Sequence, residues 1–238
     1  MRNFLNKTLN KAGISFVALI TLLVGGGLGT TSAVLASSTS NFTQVINPGT
    51  LTIDIVDGSY ATVSSPSVAM SAVTVGFSCQ TSTGTFGTPT QQVYIKDPGA
   101  TFTTSWSATL AASAPTALWA STIHNTQKYD FNDPTTGGCA DGADTDTYAG
   151  QLTVNPSVAT LAKGNCLSCS AATGMTKGSS AAFSEGVVDS ITLLTAGTTS
   201  SPIGDWTLQG ITLSQKIPAE QPAATDYAIN FTLSIVVS

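Results

Sequence analysis

The chain has 238 residues, and its 8 basic and 13 acidic side chains give a formal net charge of −5 at pH 7. Only 9% of the residues are charged, against about 25% in typical soluble proteins, whereas 42% are hydrophobic. The hydrophobic fraction predicts a folded chain. The acidic balance argues against a surface that binds nucleic acid or anionic membranes.

The first 36 residues predict a secretory signal peptide. Three basic residues and no acid lie within the first eleven positions, an apolar run follows at 14–24, and small residues end at Ala36. This order is typical of secretory leaders. The alternative is a retained membrane anchor, but the apolar run is shorter than a full span and three glycines follow it. We therefore expect a leader at 1–36 and a mature chain at 37–238 with no membrane span.

The mature part contains short runs in which apolar and polar residues alternate. In the first run Leu51, Ile53 and Ile55 share one face of a strand, and the run near the carboxyl end follows the same rule. The predicted strands are 49–56, 73–78, 92–96, 104–110, 151–154, 190–194, 206–208, 211–215 and 227–237. One short helix, at 111–125 or 155–163, is the only helical expectation.

These strands predict an all-β fold. A mature chain of this length fits one domain, and alternation is typical of antiparallel sheets with one face toward the core. We expect a single antiparallel β-sandwich with Greek-key-like connections, or a flattened barrel, at 37–238. Trp106 and Trp206 lie within strand patterns and are expected in the core rather than exposed for sugar stacking.

The pattern breaks between positions 129 and 150, which predict a long acidic loop inserted into the sandwich. Five of the thirteen acids and four glycines lie there. Calcium takes six to eight oxygen ligands from flexible backbone, so two oxygen clusters are candidate ligands. The alternative is a solvated loop in which Asp and Asn bend the chain. The candidates are Asp130, Asn132, Asp133, Asp141, Asp144 and Asp146.

Four cysteines predict structural disulfides in an oxidising compartment. They are Cys79, Cys139, Cys166 and Cys169, and the sequence leaves three pairings open. The last two have C-x-x-C spacing, but redox motifs of this kind begin a helix in a βαβ unit, which the pattern does not predict. A zinc site of the usual type would need a second such pair.

Catalytic motifs are poorly represented in the chain. His124 is its only histidine, no serine lies in Gly-x-Ser-x-Gly, and the only glutamates, Glu185 and Glu220, stand in turn-like segments. A nucleophile needs a base within hydrogen-bond reach, and a glycosidase needs two carboxylates across a cleft. We therefore expect a protein that is not an enzyme, with a secreted hydrolase as the least favoured interpretation.

The last third of the chain resembles a WxL-type cell-surface domain. The segments that carry the resemblance are Trp206–Leu208, Gly210–Ser214, Ile217–Ala219 and Thr225–Leu233, with Gly49–Asp54 resembling the opening strand of such domains. The Trp-x-Leu spacing is absent at Trp106, and the acidic middle of the chain departs from the family. The resemblance implies a β-sandwich held non-covalently to cell-wall polymer.

These observations predict an exported, non-catalytic cell-surface or adhesive domain. Its partner would be cell-wall polymer or another surface protein. The alternative is a structural subunit of a surface fibre, pilus or surface layer that self-associates, because the long apolar final strand could accept a further strand at a sheet edge.

Overall fold

Fifteen β-strands and two 3-10 turns form the regular structure of the described residues. The structure is a computed structural model that describes residues 43–47, 49–99, 105–142, 145–166, 169, 172–197 and 203–237. The predicted signal peptide at 1–36 lies outside the described residues. Residues from Asn47 onward form one compact unit.

The strands are short, from two to seven residues. They are β1 Thr52–Val56, β2 Gln80–Phe86, β3 Gln92–Pro98, β4 Trp106–Ala112, β5 Trp119–Ser121, β6 Lys128–Tyr129, β7 Gln151–Asn155, β8 Thr160–Lys163, β9 Met175–Lys177, β10 Ala181–Ala182, β11 Ser190–Ala196, β12 Ile203–Gln209, β13 Ile211–Ile217, β14 Tyr227–Ala228 and β15 Phe231–Val237. The 3-10 turns are Thr135–Gly137 and Pro156–Val158.

All pairings between these strands are antiparallel, which confirms the all-β, sandwich-like prediction. Three sheets have four strands each, in the orders β1-β3-β12-β8, β10-β7-β13-β2 and β15-β4-β11-β9. A small sheet has the order β14-β5-β6. Most neighbours are distant in sequence, as Greek-key connections require, so the sheets depend on long-range contacts.

Two glycines carry the chain from one sheet to another. Gly210 lies between β12 and β13, which belong to different sheets, and Gly87 lies just after β2 on the way to β3. Both have positive φ angles, 79° and 78°. The Gly210 N–H donates to the Gly87 carbonyl at 2.8 Å. A Cβ on Gly87 would lie 2.6 Å from the Leu208 carbonyl oxygen, so this corner requires glycine.

The core contains two groups of buried side chains. In the larger, Phe131 packs edge-to-face against Phe183 and Phe231, with ring centroids 5.1 and 5.6 Å away. In the smaller, Trp106 lies 6.4 Å from Trp206, and their side chains are 2% and 0% exposed. The prediction that both tryptophans belong to the core is confirmed.

The strand predicted at 73–78 was wrong. Val75 and Phe77 are 54% and 93% exposed, and the segment lies outside regular structure. The residues just before this segment contact the outer edge of β2 instead. Ser71 N–H donates to the Thr83 carbonyl at 2.6 Å. An apolar alternation forms a strand only where an edge is available for pairing.

The short helix expected at 111–125 or 155–163 was also wrong in type. The first region contains the end of β4 and then β5. In the second, Asn155 accepts from Ser157 N–H and begins a single 3-10 turn, which β8 follows. The predicted strand at 227–237 is interrupted at Ile229–Asn230 and forms β14 and β15.

Candidate functional site

An open, largely apolar cleft lies beside β1 and β15. Its volume is about 600 Å³. Core side chains such as Leu110, Leu152 and Leu213 form part of its lining, and Val68 and Met70 contribute from the segment before β2. Polar residues also face the cleft, among them Asp54, Gln91, Asn230 and Thr232. A concave apolar site with a few polar groups is the usual form of a binding site.

The strand β15 is an edge strand. It pairs with β4 and stands at the end of its sheet order. The Ser113 N–H donates to the Asn230 carbonyl, so positions 230, 232, 234 and 236 bond toward β4. The amides and carbonyls of Phe231, Leu233 and Ile235 therefore point to the opposite edge, where the described residues provide no paired strand.

This edge lacks the features that usually prevent pairing with other chains. The sequence of β15 has no charged residue and no proline, and Val236 and Val237 are 54% and 52% exposed. Natural edges are commonly protected by lysine, proline or a bulge. The β15 edge is therefore chemically able to accept a further strand.

Aromatic residues form one end of the region. Trp119 is half-buried and stacks on Tyr129 with ring centroids 5.7 Å apart. Its indole N–H donates to the Gln215 side chain at 2.9 Å. Tyr227 meets Tyr129 edge-on at 5.0 Å, and burial raises the pKa of Tyr129.

A second cluster surrounds the carboxylate of Asp205, a residue that the sequence analysis did not select. Asp205 is 4% exposed and lies on β12 between β3 and β8. It accepts hydrogen bonds from the Tyr94 hydroxyl at 2.5 Å, from Asn165 N–H at 2.8 Å and from Cys166 N–H at 3.0 Å. A carboxylate in an apolar strand, with the sequence Ile-Gly-Asp-Trp-Thr-Leu, was the signal that could have identified it.

Close packing fixes the geometry of the Asp205 cluster. Gly164 carries the chain past the carboxylate, and a Cβ there would lie 2.8 Å from both the Asp205 Oδ2 and the Tyr94 ring. Burial and the bond to Asp205 raise the pKa of Tyr94, so its hydroxyl remains a donor at neutral pH. Tyr60 packs on Tyr94 at 5.6 Å with a φ of 65°, which is unusual for a large side chain.

The disulfides are now defined. Cys79 pairs with Cys139, and Cys166 pairs with Cys169, which confirms the prediction of disulfides and chooses one of three connectivities. Both of the latter sulfurs lie close to Asp205. The sulfurs of Cys166 and Cys169 and one carboxylate oxygen of Asp205 are all within 4.8 Å of one another. The C-x-x-C pair therefore faces a carboxylate.

The first cluster of the acidic loop is buried. Asp130, Asn132 and Asp133 are 1%, 2% and 0% exposed. Asp133 accepts from Thr135 N–H at 2.8 Å and from Gly142 N–H at 3.1 Å, and Asp130 accepts from Phe131 N–H at 2.6 Å. The side-chain amide of Asn132 donates to the Pro115 carbonyl at 2.8 Å. These polar groups hold the loop against the sandwich.

The second cluster is more exposed. Asp141 lies on the surface, Asp146 accepts from Tyr148 N–H at 2.8 Å, and Asp144 lies outside the described residues. Bonds of this kind are those of Asx turns, which bend the backbone without a metal. Calcium binding by this loop stays a prediction.

The residues considered for catalysis are held by different segments, since Glu185 N–H donates to the Asn132 carbonyl and Glu220 N–H to the Gly76 carbonyl. His124 is exposed in a turn whose backbone is held by Asp226. Asp226 accepts from the hydroxyls of Ser121 and Thr122 and from the N–H groups of Thr122 and Ile123, at 2.6 to 2.8 Å. These bonds, those of the two hydroxyls foremost, hold the pKa of Asp226 far below its usual range.

No protein-family model matches the chain, and neither the curated proteins nor the solved structures contain a match. The described part of the chain contains no helix with the length and apolar character that a membrane crossing needs. Disulfides such as the two found here are typical of proteins from oxidising compartments.

Proposed function

We propose that this chain is an exported, non-catalytic surface module that binds an extended polypeptide segment of another surface protein along β15. The observation that carries the proposal is the juxtaposition of the unpaired β15 edge and the apolar cleft. In strand addition, main-chain hydrogen bonds supply affinity and side-chain pockets supply specificity. The β15 edge offers the main-chain groups, and the cleft offers the pocket for side chains.

The chemistry of the cleft favours a polypeptide over wall polymer as the direct ligand. Most of the side chains that line it are apolar, aliphatic and aromatic together, and a polysaccharide would need many more hydrogen-bonding groups. The disulfides and the predicted signal peptide support work outside the cytoplasm. Attachment to the wall would then be indirect, through the bound surface protein.

A charge placed on the edge tests this proposal. Thr232 is exposed on β15 and faces the cleft, whereas Thr212 is exposed on the interior strand β13. Thr232→Lys and Thr212→Lys add the same charge to strand surfaces, but only the first adds an edge lysine, which opposes strand pairing.

Binding of both variants and the wild type would be measured to surface-protein extracts and to deproteinised wall from the producing cells. We expect the wild type to bind a surface protein. Thr232→Lys should abolish this binding, whereas Thr212→Lys should retain it. Binding to deproteinised wall that neither variant affects would overturn it and return the WxL-like, wall-binding interpretation to first place.

The second candidate function is a subunit of a fibre or surface layer, in which β15 accepts a strand from another copy. The same unpaired edge favours it, together with exposed apolar residues outside regular structure, such as Phe77. Electron microscopy of the purified mature chain distinguishes the two functions. A subunit forms fibres or lattices alone, and Thr232→Lys should prevent them, whereas a binding module stays dispersed.

A further inference from the structure

The Asp205 cluster has a geometry that turn formation alone does not require. The carboxylate holds the turn at 164–166 through two backbone amides, and the same carboxylate also lies within 4.8 Å of both sulfurs of the neighbouring disulfide. Two sulfurs and one carboxylate oxygen are a ligand set that suits a borderline divalent cation such as Zn²⁺.

Asp205 is held firmly in this position. It is buried, and the Tyr94 hydroxyl and Asn165 N–H donate to its Oδ2. Its strand pairs with β3 at this position and with β8 from the next residue onward. Its Oδ1 accepts from Cys166 N–H alone among the bonds described here and keeps a further lone pair. Partners that orient a ligand in this way are a regular feature of metal sites.

The disulfide closes the site in the oxidised state. Its sulfurs are bonded to each other, whereas two thiolates on one tetrahedral Zn²⁺ stand roughly 3.7 Å apart, as Zn–S bonds of about 2.3 Å imply. The Cα atoms are 5.3 Å apart, so rotation of the two side chains could separate the sulfurs without a large change in the backbone. Reduction is therefore the step that would create the ligands.

A redox enzyme is the competing interpretation of a C-x-x-C pair. Such enzymes stabilise the attacking thiolate with a helix amino terminus or a neighbouring cation. Here the pair follows the strand β8, the described residues contain no α-helix, and the carboxylate of Asp205 lies within 4.8 Å of both sulfurs. A carboxylate repels thiolates, whereas a bound cation would offset the negative charges of the carboxylate and of the thiolates. The surroundings thus favour metal binding over thiol exchange.

We propose that Cys166, Cys169 and Asp205 form a thiol-gated Zn²⁺ site, closed by the disulfide and opened by a low-molecular-weight thiol. Two molecules of the thiol reduce the disulfide and leave as their own disulfide, which yields two cysteine thiols. Zn²⁺ then binds both sulfurs and releases their two protons, Asp205 provides the third ligand, and water occupies the fourth position.

The test is a Zn²⁺ titration of the mature chain in competition with a chromophoric chelator, before and after reduction by a phosphine. The wild type should bind one Zn²⁺ per chain when reduced and none at this site when oxidised. Cys166→Ser with Cys169→Ser should abolish that binding, whereas Cys79→Ser with Cys139→Ser should retain it. The sulfur-to-metal absorption of the Co²⁺ form reports the thiolates directly.

Two further variants separate a built site from two cysteines in an unfolded chain. Asp205→Asn should weaken Zn²⁺ binding by at least about tenfold, as the loss of metal-site partners does, and Asp189→Asn, an exposed carboxylate, should leave it unchanged. An unfolded chain would bind equally in both variants. Equal binding by both, no binding by the reduced wild type, or binding that survives loss of Cys166 and Cys169 would overturn the proposal.

Discussion

The two disulfides should contribute very differently to stability. Cys79 and Cys139 are 60 positions apart, whereas Cys166 and Cys169 are 3 positions apart. A cross-link stabilises a protein mainly by restricting its unfolded chain, and this effect grows with the logarithm of the loop length. The relation gives about 4.3 kcal/mol for the long loop and about 1.6 kcal/mol for the short one at 25 °C.

The surroundings of the long-range bond do not change this comparison greatly. Cys79 immediately precedes β2, and Cys139 follows the 3-10 turn in the acidic loop. Both residues are half-buried, so alanine at these positions leaves little empty volume in the core. The difference of about 2.7 kcal/mol between the two loops should therefore appear as a difference between the two double alanine variants.

Urea denaturation of the mature chain provides the measurement. Free energies of unfolding should be compared for the wild type, Cys79→Ala with Cys139→Ala, and Cys166→Ala with Cys169→Ala. Midpoints alone are insufficient, because removal of a cross-link also expands the unfolded state and changes the slope. If removal of the Cys166–Cys169 disulfide lowers the free energy of unfolding as much as removal of the Cys79–Cys139 disulfide, loop entropy is the wrong explanation. The bonds around Asp205 would then depend on the Cys166–Cys169 disulfide.

Three other measurements test individual contacts. Phe131→Ala should lose about 3–5 kcal/mol of unfolding free energy, because the side chain is 1% exposed between two aromatic rings; a loss below about 1 kcal/mol would contradict this packing. Asp226→Asn should lower the melting temperature at neutral pH. Because the folded-state pKa of Asp226 is lowered, its carboxylate stabilises the fold at pH values above the usual pKa near 3.8, and this stabilisation is lost as pH falls toward the lowered value. The melting temperatures of the wild type and of Asp226→Asn should therefore converge only in strong acid. If the acidic loop binds calcium, a concentration of 100 Kd should stabilise the chain by about 2.7 kcal/mol, and Asp141→Asn should reduce this effect; no shift in millimolar calcium would leave the loop a purely structural one.

The sequence predicted most of the longer strands because a half-buried strand leaves a period of two, but it missed β2, whose sequence Gln-Thr-Ser-Thr-Gly-Thr-Phe has no apolar alternation. Leu51, Ile53 and Ile55 alternate in the region of β1, and Phe231, Leu233 and Ile235 alternate in β15. Strands of two or three residues, such as β6 and β10, are too short to show a period. The segment at 73–78 has the period without the strand, because pairing depends on a partner that lies elsewhere in the chain.

The candidate sites were harder to predict because they are made by long-range contacts. The cleft combines β1, β15 and residues near Val68, which are separated by up to about 180 positions, as Asp54 and Leu233 illustrate. The cysteine pairing has the same character, since three connectivities fit the sequence equally well. Asp205 was the one part of these sites with a local signal, a lone acid in an apolar strand.

The acidic loop and the Asp205 cluster differ in where their carboxylates find hydrogen-bond donors. In the loop, Asp133 and Asp146 accept hydrogen bonds from amides within ten residues, so bending the chain already explains their presence. Asp205 instead takes donors from Tyr94 on a neighbouring strand and from the turn after β8, more than thirty positions away. Those distant donors fix a buried carboxylate against two sulfurs.

Burial of a charged group costs stability unless its partners compensate for it, so a carboxylate held this way needs a structural or functional reason. The Zn²⁺ titration and the comparison of the two disulfides address that reason from independent directions, because one measures a ligand and the other measures unfolding.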